Sequence, residues 1–406
     1  MKDYVMNILV IGKAAPISTA NEILEQSKKN PGFQIIKFTN LLLKGFVYNQ
    51  QNIEILSNIS NPKKFYSPST HEEDEGIRYH YLPTINIPII SQLLHLIYSF
   101  IYTFIWCIKT KGEKIVFCDI FAYSSSLGAI CTTKLLSVKC CAQVTDMIGI
   151  TPVTSKYSNK NRLWNFIFKL RSYGQLSILK QYDLFVFLTK YMNDVYNPLK
   201  KPYMIMEGSV DSGFKPIQNN KIKTPRIIMY AGSIEAEYGF NELVLAFMSL
   251  NLDDLELHIY GNGKFVESLI NYQKIDQRIK YLGIASNEKI VEAEQQATLL
   301  VNPRLSHQEF TKYSFPSKTS EYMLSGTPLL TTKLPGIPEE YFEYIYTFDD
   351  ETIEGFAQSL HKVLSLSQIE LETKGKDAQR FILKNKNNII QTKKMIDFFS
   401  SSCTMI

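Results

Sequence analysis

Residues 302–328 read NPRLSHQEFTKYSFPSKTSEYMLSGTP and follow the short apolar run ATLLV at residues 297–301. The apolar run predicts a buried parallel strand. The polar loop after it ends near Pro316, which suits the start of a helix, and Gly326 suits the C-terminal cap of that helix. A strand, a loop and a helix in this order turn backbone N–H groups and a helix N-terminus toward an anion.

Charged side chains within this stretch indicate what the anion carries. Glu321 lies one helical turn from Ser317 and Lys318. A carboxylate at that position can accept both hydrogen bonds of a cis-diol, and a lysine beside it can offset the charge of a phosphate. The combination suits a sugar attached to a phosphate, whereas the alternative for both residues is a solvated helix surface. Further polar candidates in the loop are Arg304, His307, Glu309 and Lys312.

Length and composition limit the class of protein. A chain of 406 residues is too long for one ordinary core, so we expect two domains. The net charge of +5 argues against a dedicated nucleic-acid binder. The six cysteines form no CxxC pair, which favours buried, reduced thiols and a cytoplasmic protein. No signal peptide is apparent.

The segment LLHLIYSFIYTFIWCI at residues 93–108 is the longest apolar run. It falls short of the roughly 20 residues that a spanning helix needs. Leu93, Ile97 and Ile101 recur at helical spacing, and Phe100 and Phe104 continue the pattern. The run therefore predicts either a buried helix or one that contacts a membrane. A basic stretch at residues 156–180 could contact the same surface.

Strand and helix patterns alternate along the chain in two series. The first series predicts strands at residues 7–11, 33–38, 114–118, 140–144, 184–188 and 203–206, with helices at 19–29, 93–109 and 123–136. The second predicts strands at 227–230, 255–260, 279–282, 299–301 and 329–331, with helices at 239–250, 287–296 and 317–324. Alternation of this kind predicts parallel sheets with helices on both faces.

The two series define the predicted domains. They form an α/β protein with two Rossmann-like, doubly wound domains, an N-terminal one over residues 1–205 and a C-terminal one over residues 206–380. A helix and tail at 381–406 could pack back on the N-terminal domain. Ligands of such sheets bind at the carboxyl ends of the strands, where polar and glycine residues cluster in this chain.

Several of these segments together resemble the GT-B glycosyltransferases, in particular the retaining family 4 enzymes of bacterial surface-polysaccharide synthesis. The resemblance is clearest over residues 204–328. It rests on EGSVD at 207–211, YAGS at 230–233, LHIYGNG at 257–263 and YLG at 281–283, followed by the stretch quoted first. Before residue 189 it rests on the order of elements alone. It implies two domains that face each other across a cleft, with a nucleotide sugar on the C-terminal domain.

The resemblance implies site residues, and the chain departs from the family at two of them. Glu321 matches the second glutamate of a pair, but Tyr313 stands at the position of the first, so Glu309 is the nearest substitute. The family also places cations after the donor-domain glycine, whereas this chain has SIEAEYG at 233–239. Arg304 or a nearby lysine would then hold the diphosphate. The donor-binding set is predicted to be Gly232, Ser233, Gly261, Asn262, Gly263, Arg304, Lys312, Ser317, Lys318 and Glu321.

The predicted catalytic residues come from both domains. Asp146 follows a strand of the N-terminal domain and could orient the acceptor or act as a base, with Asp119 as its competitor. Helix capping is the alternative for both. Glu309 would bind sugar hydroxyls and Lys318 would stabilise the leaving diphosphate. The resemblance implies neither a metal ion nor another cofactor.

Taken together, these patterns predict a cytoplasmic enzyme that transfers a sugar from a nucleotide diphosphate to a saccharide or lipid-linked saccharide, at the inner face of the cell membrane. Two alternatives stay open. A GT-B epimerase would act on the nucleotide sugar alone and need no acceptor surface. A non-catalytic partner would bind the nucleotide sugar without turnover, in keeping with the missing cations after Gly232.

Overall fold

A computed structural model describes residues 5–27, 32–59, 64–148, 172–216 and 225–403. Contacts divide the chain into two units. The N-terminal unit comprises Met1–Ser209 and Asn388–Ile406, and the C-terminal unit comprises Val210–Asn387. Val210 belongs to the second unit because its N–H donates to the carbonyl of Lys386 over 3.1 Å. The predicted boundaries were at residues 205 and 380.

An eight-stranded sheet forms the centre of the N-terminal unit, in the order β10-β9-β8-β7-β1-β2-β5-β4. Its pairs are parallel except for β4, which runs antiparallel along β5 at the edge. The strands are β1 Asn7–Gly12, β2 Asn52–Ser57, β4 Thr70–Asp74, β5 Ile77–Tyr81, β7 Lys114–Asp119, β8 Lys139–Val144, β9 Leu184–Phe187 and β10 Tyr203–Ile205. A separate two-stranded ribbon pairs β3 Tyr66–Ser67 with β6 Thr84–Ile85.

Helices cover both faces of this sheet. They are α1 Ile17–Ser27, α2 Phe33–Tyr48, α3 Pro88–Lys109, α4 Tyr123–Leu135, α5 at residues 172–179, α6 Lys190–Tyr196 and α13 Asn388–Cys403. The last helix packs on α2, where Asn49 donates to the carbonyl of Ile389 and to the hydroxyl of Thr392. A Cβ on Gly45 would lie 2.4 Å from the carbonyl oxygen of Asn388, so a side chain there would separate the two helices.

The predicted strand at residues 33–38 is wrong. These residues begin α2, and the second strand of the sheet is β2. The apolar residues of 33–38 fit either period over so short a run, but the pattern continues to Tyr48 with Ile36, Leu43 and Phe46 buried on one helical face. Burial of that longer face decides in favour of the helix.

Helix α3 packs with its polar side inward. Ser91, His95, Ser99 and Thr103 recur every fourth residue and are buried. Close contact with α4 requires this, because a Cβ on Gly128 of α4 would lie 2.3 Å from the carbonyl oxygen of Leu96. The contact therefore uses small residues and hydrogen bonds, and the aliphatic side chains of α3 point outward.

A six-stranded parallel sheet forms the centre of the C-terminal unit, in the order β13-β12-β11-β14-β15-β16. The strands are β11 Arg226–Ser233, β12 Leu255–Asn262, β13 Ile279–Gly283, β14 Leu299–Asn302, β15 Leu329–Thr331 and β16 Tyr346–Thr347. Numbered within the unit, this is the order 3-2-1-4-5-6 of a Rossmann fold. Buried apolar residues of the strands and helices pack together in two clusters.

Three of the helices described in the C-terminal unit follow the sequence pattern. The described helices are α7 Phe240–Met248, α8 Val266–Ile275, α9 Asn287–Gln296, α10 Ser317–Ser325, α11 Ile353–Leu364 and α12 Gln368–Asn385. Pro316 occupies the N-cap position of α10, and Gly326 is its C-cap at φ 78°, as predicted. Of these helices, α7, α9 and α10 were predicted, whereas α8, α11 and the part of α12 before residue 381 were not. Residue 381, the predicted start of the C-terminal segment, lies inside α12.

Two further predictions concern the cysteines and the basic stretch. Cys107, Cys118, Cys140 and Cys141 are free and buried, as expected, whereas Cys131 is free and exposed. The basic stretch at residues 156–180 falls mostly on residues 156–171, which lie outside the described part of the chain.

Candidate functional site

The C-terminal sheet reverses its strand order between β11 and β14. At such a switch point the loops after the two strands diverge and leave a crevice for a ligand. Gly232 and Ser233 end β11 and lie in register with Gly261 and Asn262 of β12. Four residues of the predicted donor set are therefore neighbours at the carboxyl edge of one strand pair.

Glycines let the backbones of this edge approach each other. Gly261 has φ 134°, and a Cβ there would lie 1.8 Å from the carbonyl oxygen of Gly232. A Cβ on Gly263 would lie 2.1 Å from the carbonyl oxygen of Ile234. Both glycines are thus required by the turn itself. The same packing leaves bare backbone beside the exposed Ser233, which an anion can approach closely.

Helix α10 is tied to the end of β11 by one buried tyrosine. The hydroxyl of Tyr322 accepts from the N–H of Ala231 over 2.8 Å and lies 3.2 Å from its carbonyl oxygen. This contact positions the first turn of α10, where Ser317 is exposed and no side chain caps the N–H groups. An uncapped helix N-terminus favours an anion, so the strand end and the helix start supply complementary parts of one site.

Lys318 is held between two carboxylates. Its Nζ lies 2.7 Å from Oε2 of Glu321 and 3.8 Å from Oε1 of the buried Glu294. The charge of Lys318 is therefore already offset within the protein. Glu321 stays partly exposed, at 37% of its side chain, and one face of its carboxylate is open to a ligand.

Arg304 follows β14 and lies against two neighbouring aromatic rings, whose centres are 6.1 Å apart. Its guanidinium carbon lies 4.4 Å from the centre of the Tyr238 ring and 5.5 Å from that of Phe310. Within the described residues it forms no ion pair, and its Nε has no hydrogen-bond partner. Tyr238 belongs to the segment after Gly232 that lacks cations, so Arg304 brings a positive charge to that segment from another strand.

Gly239 explains why Arg304 reaches this segment. It has φ 75°, and a Cβ there would lie 2.1 Å from the carbonyl oxygen of Pro303. The backbone after β14 therefore packs directly on the turn that ends at Gly239. Gly239 and Arg304 can both be read from the sequence, but the contact between Gly239 and Pro303 joins residues that are far apart in the chain.

The remaining loop candidates lie on the surface. Glu309 and Lys312 begin and end a 3-10 helix and are exposed. His307 is 65% exposed and its Nδ1 lies 3.9 Å from Glu351. Among the described hydrogen bonds and ion pairs, Glu309 contacts neither Lys318 nor Glu321.

Buried polar atoms without partners mark residues that the sequence analysis missed. Asn302 ends β14, Thr332 follows β15, Ser314 precedes α10 and Thr319 lies in its first turn. Each has a buried side-chain nitrogen or oxygen with no hydrogen-bond partner. Buried polar groups are normally paired, so these unpaired atoms mark a region whose hydrogen bonds a ligand can complete when neighbouring side chains move. For Asn302 and Thr332, the position after two neighbouring strands was the available signal.

The N-terminal sheet has its own switch point, between β1 and β7. Asp119 ends β7, and its Oδ1 accepts from the N–H of Phe121 over 2.9 Å. Burial raises the pKa of Asp119 to about 6, against the opposing effects of that N–H and of Lys13. Lys13 follows β1, and burial lowers its pKa although Asp119 favours its charge. A carboxyl group with a shifted pKa at a strand end is a candidate for proton chemistry.

Asp146, the predicted catalytic aspartate, lies two residues after β8 and is exposed. Its Oδ1 accepts from the N–H of Met147 over 2.7 Å, and loss of solvent around the carboxylate raises its pKa. Asp146 therefore resembles a residue that stabilises its own turn. Asp119 is the more strongly buried of the two aspartates.

No group of three histidine, cysteine, aspartate or glutamate side chains that could hold a metal ion occurs within the described ranges. Arg304 and Lys318 are cationic groups near the C-terminal switch point. A negatively charged ligand would there meet side-chain cations and backbone N–H groups.

The switch points and the paired Rossmann-like sheets are those of the GT-B fold. Residues 211–387, nearly all of the C-terminal unit, match the family described as Glycosyl transferases group 1. A search of curated protein sequences finds no match.

Solved structures with the same fold share little sequence with this chain. Sucrose-phosphate synthase from Thermosynechococcus elongatus is 13% identical, with a TM-score of 0.65 and 98% of each chain covered. HepE from Anabaena, solved with UDP, is 10% identical, with a TM-score of 0.61, and the match covers 98% of this chain and 100% of HepE. The lipopolysaccharide outer core galactosyltransferase WaaB is 14% identical, with a TM-score of 0.57 and coverage of 98% and 99%.

Proposed function

We propose that the protein transfers a sugar from a nucleotide diphosphate to a hydroxyl of a saccharide or lipid-linked saccharide. Transfer would retain the anomeric configuration and serve surface polysaccharide synthesis, as in the family 4 enzymes that the sequence resembles. The observation that carries the proposal is the C-terminal switch point. There Arg304 lies on Tyr238 in the segment after Gly232, and Tyr322 joins α10, the helix of Glu321, to Ala231.

The donor would bind with each of its parts on a different group. Glu321 would accept the hydrogen bonds of the ribose diol, with Lys318 fixing its carboxylate at 2.7 Å. Arg304 and the N–H groups at the start of α10 would hold the diphosphate. The unpaired polar atoms of Asn302 and Thr332 would bind hydroxyls of the transferred sugar.

Arg304 would act mainly on the leaving group. When the bond between the sugar and the diphosphate breaks, negative charge grows on the diphosphate oxygen. A fixed cation aimed at that charge lowers the barrier without the need for a metal ion. Lys318 contributes less in this proposal, because Glu321 and Glu294 already offset its charge.

The acceptor would use the N-terminal unit. Asp119 at the end of β7 would accept the hydrogen bond of the attacking hydroxyl, with Asp146 as the alternative carboxylate. HepE has been solved with UDP and glucose, and WaaB is a galactosyltransferase of lipopolysaccharide, which supports a saccharide acceptor here.

The outer face of α3 supports a membrane location, at the inner face of the cell membrane. This face, called the aliphatic ridge, shows 46–82% exposure of each side chain. It consists of Ile89, Leu93, Ile97, Ile101, Ile105 and Ile108. The helix has 22 residues and is apolar enough to cross a membrane by length and composition. Its buried polar side packs on α4, which favours a helix that lies on the bilayer surface.

Vesicle binding tests the ridge. Because α3 contains no acidic residue and ends at Lys109, the protein should co-sediment with anionic phosphatidylglycerol vesicles. Leu93→Ser combined with Ile97→Ser and Ile101→Ser should remove most binding. The matched control replaces Ile284 and Ile369, each 78% exposed in the C-terminal unit, by serine. Equal loss in both variants, or no binding by the parent, would contradict a ridge that docks on lipid.

The transfer reaction is tested with labelled UDP- and GDP-sugars and an extract of bacterial lipid-linked saccharides, with and without EDTA. The proposal expects label in the extract, unaffected by chelation. Epimerised donor without transfer would favour the epimerase alternative. Tight nucleotide binding with neither product would favour a non-catalytic partner.

A further inference from the structure

A cavity of about 320 Å³ opens in the N-terminal unit where the first turns of α3 and α4 meet the ribbon strand β6. We propose that this cavity is the subsite for a sugar ring of a lipid-linked acceptor. The proposal rests on the function proposed above and adds the part of the acceptor that the protein recognises.

The lining offers neutral hydrogen-bonding groups. Asn58, Asn86 and Gln92 contribute carboxamides, and their amide groups both donate and accept. The hydroxyl of Ser124 donates to Oε1 of Gln92 over 2.6 Å, which fixes the amide and leaves its NH₂ group to donate elsewhere. A sugar hydroxyl in the cavity can accept from the Gln92 amide.

The cavity is also nearly free of charge. Among the described residues that line it, Lys64 is the single basic side chain apart from His95, and no aspartate or glutamate contributes. His95 lies at the back, with Nε2 3.1 Å from the hydroxyl of Thr84. Burial lowers the pKa of His95, so the imidazole is neutral near pH 7. A neutral, hydroxyl-rich ligand fits this lining better than a nucleotide.

Two rings complete the lining. Phe121 and Tyr123 flank the start of α4 and are half-buried. Ligand pockets combine apolar or aromatic walls with a few placed polar groups, and sugar rings have both an apolar face and a hydroxyl edge. The two rings and the three carboxamides together match such a ligand.

The cavity adjoins both the switch point and the ridge. Asn58 donates its N–H to the carbonyl of Gly12 at the end of β1, and Phe121 donates to Asp119. On the other side, Gln92 precedes Leu93, which is 57% exposed on the ridge. A sugar in the cavity could therefore lie near Asp119 while a lipid chain runs along α3.

The test uses n-octyl glycosides of glucose, galactose and N-acetylglucosamine, below their micelle concentrations, in saturation-transfer NMR with the full chain. We expect saturation of ring protons for at least one sugar, weakened tenfold or more in affinity by Gln92→Leu and by Ser124→Ala. The matched control is Gln296→Leu, because Gln296 is an exposed helix glutamine of the C-terminal unit with one bond, to Glu292.

Three results would overturn the cavity assignment. They are no ring-proton saturation for any glycoside, saturation confined to the octyl chain, or equal ring saturation in all variants. A thermal shift with UDP or GDP on the same samples separates the two proposals. If UDP or GDP raises the melting temperature but no glycoside ring is saturated, the cavity assignment alone is rejected. If neither nucleotide raises the melting temperature of the parent, the donor site is rejected.

Discussion

The switch points of the two sheets share a topology and differ in chemistry. In the C-terminal unit, β11 ends in Gly232 and Ser233, and the charge comes from Arg304 on the neighbouring connection. In the N-terminal unit, β7 ends in the buried carboxyl group of Asp119, near Lys13. Bare backbone with a separate cation suits the binding of a phosphate group. A carboxyl group with a raised pKa suits a hydrogen bond with a hydroxyl group that gives up its proton.

Arg304 should give the largest effect since, of the two cations Arg304 and Lys318, it is the one that forms no ion pair among the described residues. Arg304→Ala should lower turnover by roughly 10²–10³-fold, the usual effect of removing one charge-stabilising group. Lys318→Ala should lower it less, and Lys312→Ala less again. Steady-state kcat with a saturating donor measures all three. A larger effect at Lys318 would show that Lys318, and not Arg304, stabilises the leaving diphosphate.

Arg304→Lys sharpens this prediction, because it keeps the charge but loses the stacked geometry on Tyr238. We expect partial recovery relative to Arg304→Ala. Arg380→Ala serves as the surface control, since Arg380 is 76% exposed on α12. A drop in turnover for Arg380→Ala would show that loss of charge anywhere on the unit suffices.

Glu321→Ala should weaken nucleotide binding about 100-fold, because hydrogen bonds to a charged group contribute roughly 1.5–3 kcal/mol. The partly exposed side chain contributes little to folding, so the melting temperature should change little. Isothermal titration with UDP and GDP measures the affinity. Glu292→Ala, an exposed glutamate of α9, is the matched control. Equal affinities in the two variants would remove Glu321 from the site.

Gly261→Ala should destabilise the fold by about 2 kcal/mol more than Gly283→Ala. Both glycines have positive φ, 134° and 68°, and an alanine at such a φ costs roughly 1–3 kcal/mol. At Gly261 the Cβ would also collide with the Gly232 carbonyl, whereas at Gly283 nothing lies within 4 Å. Urea unfolding gives the two free energies, and equal values would contradict the tight strand edge.

Asp119 should give the smallest effect near neutral pH. With a pKa of about 6, its carboxylate form accepts a hydrogen bond at pH 7 and is lost as the pH falls through 6. Transfer by the parent should fall through that range, while Asp119→Asn should be about tenfold slower at pH 7 and flat below it. Asp146→Asn is the comparison. A parent-like pH profile in Asp119→Asn would return the role to Asp146.

The sequence predicts the C-terminal unit better than the N-terminal one, for physical reasons. Its glycines and caps are local signals, so α9, α10 and β15 fall where the pattern places them. The stacking of Arg304 on Tyr238 joins segments that are far apart in the chain, so no local sequence pattern predicts it. In α3 the pattern located the helix, but the inward polar face depends on Gly128 of another helix. The strand predicted at 33–38 failed because a short apolar run fits both periods.

Hydrogen exchange of the full chain with and without UDP or GDP tests most directly whether the nucleotide binds at the C-terminal switch point and not at the N-terminal one. We expect slower exchange at residues 231–234, 261–263 and 317–321 when nucleotide is bound. We expect no change at residues 119–125 of the N-terminal unit. Protection confined to residues 119–125, or no protection in the C-terminal unit with either nucleotide, would contradict a donor site built on β11 and α10.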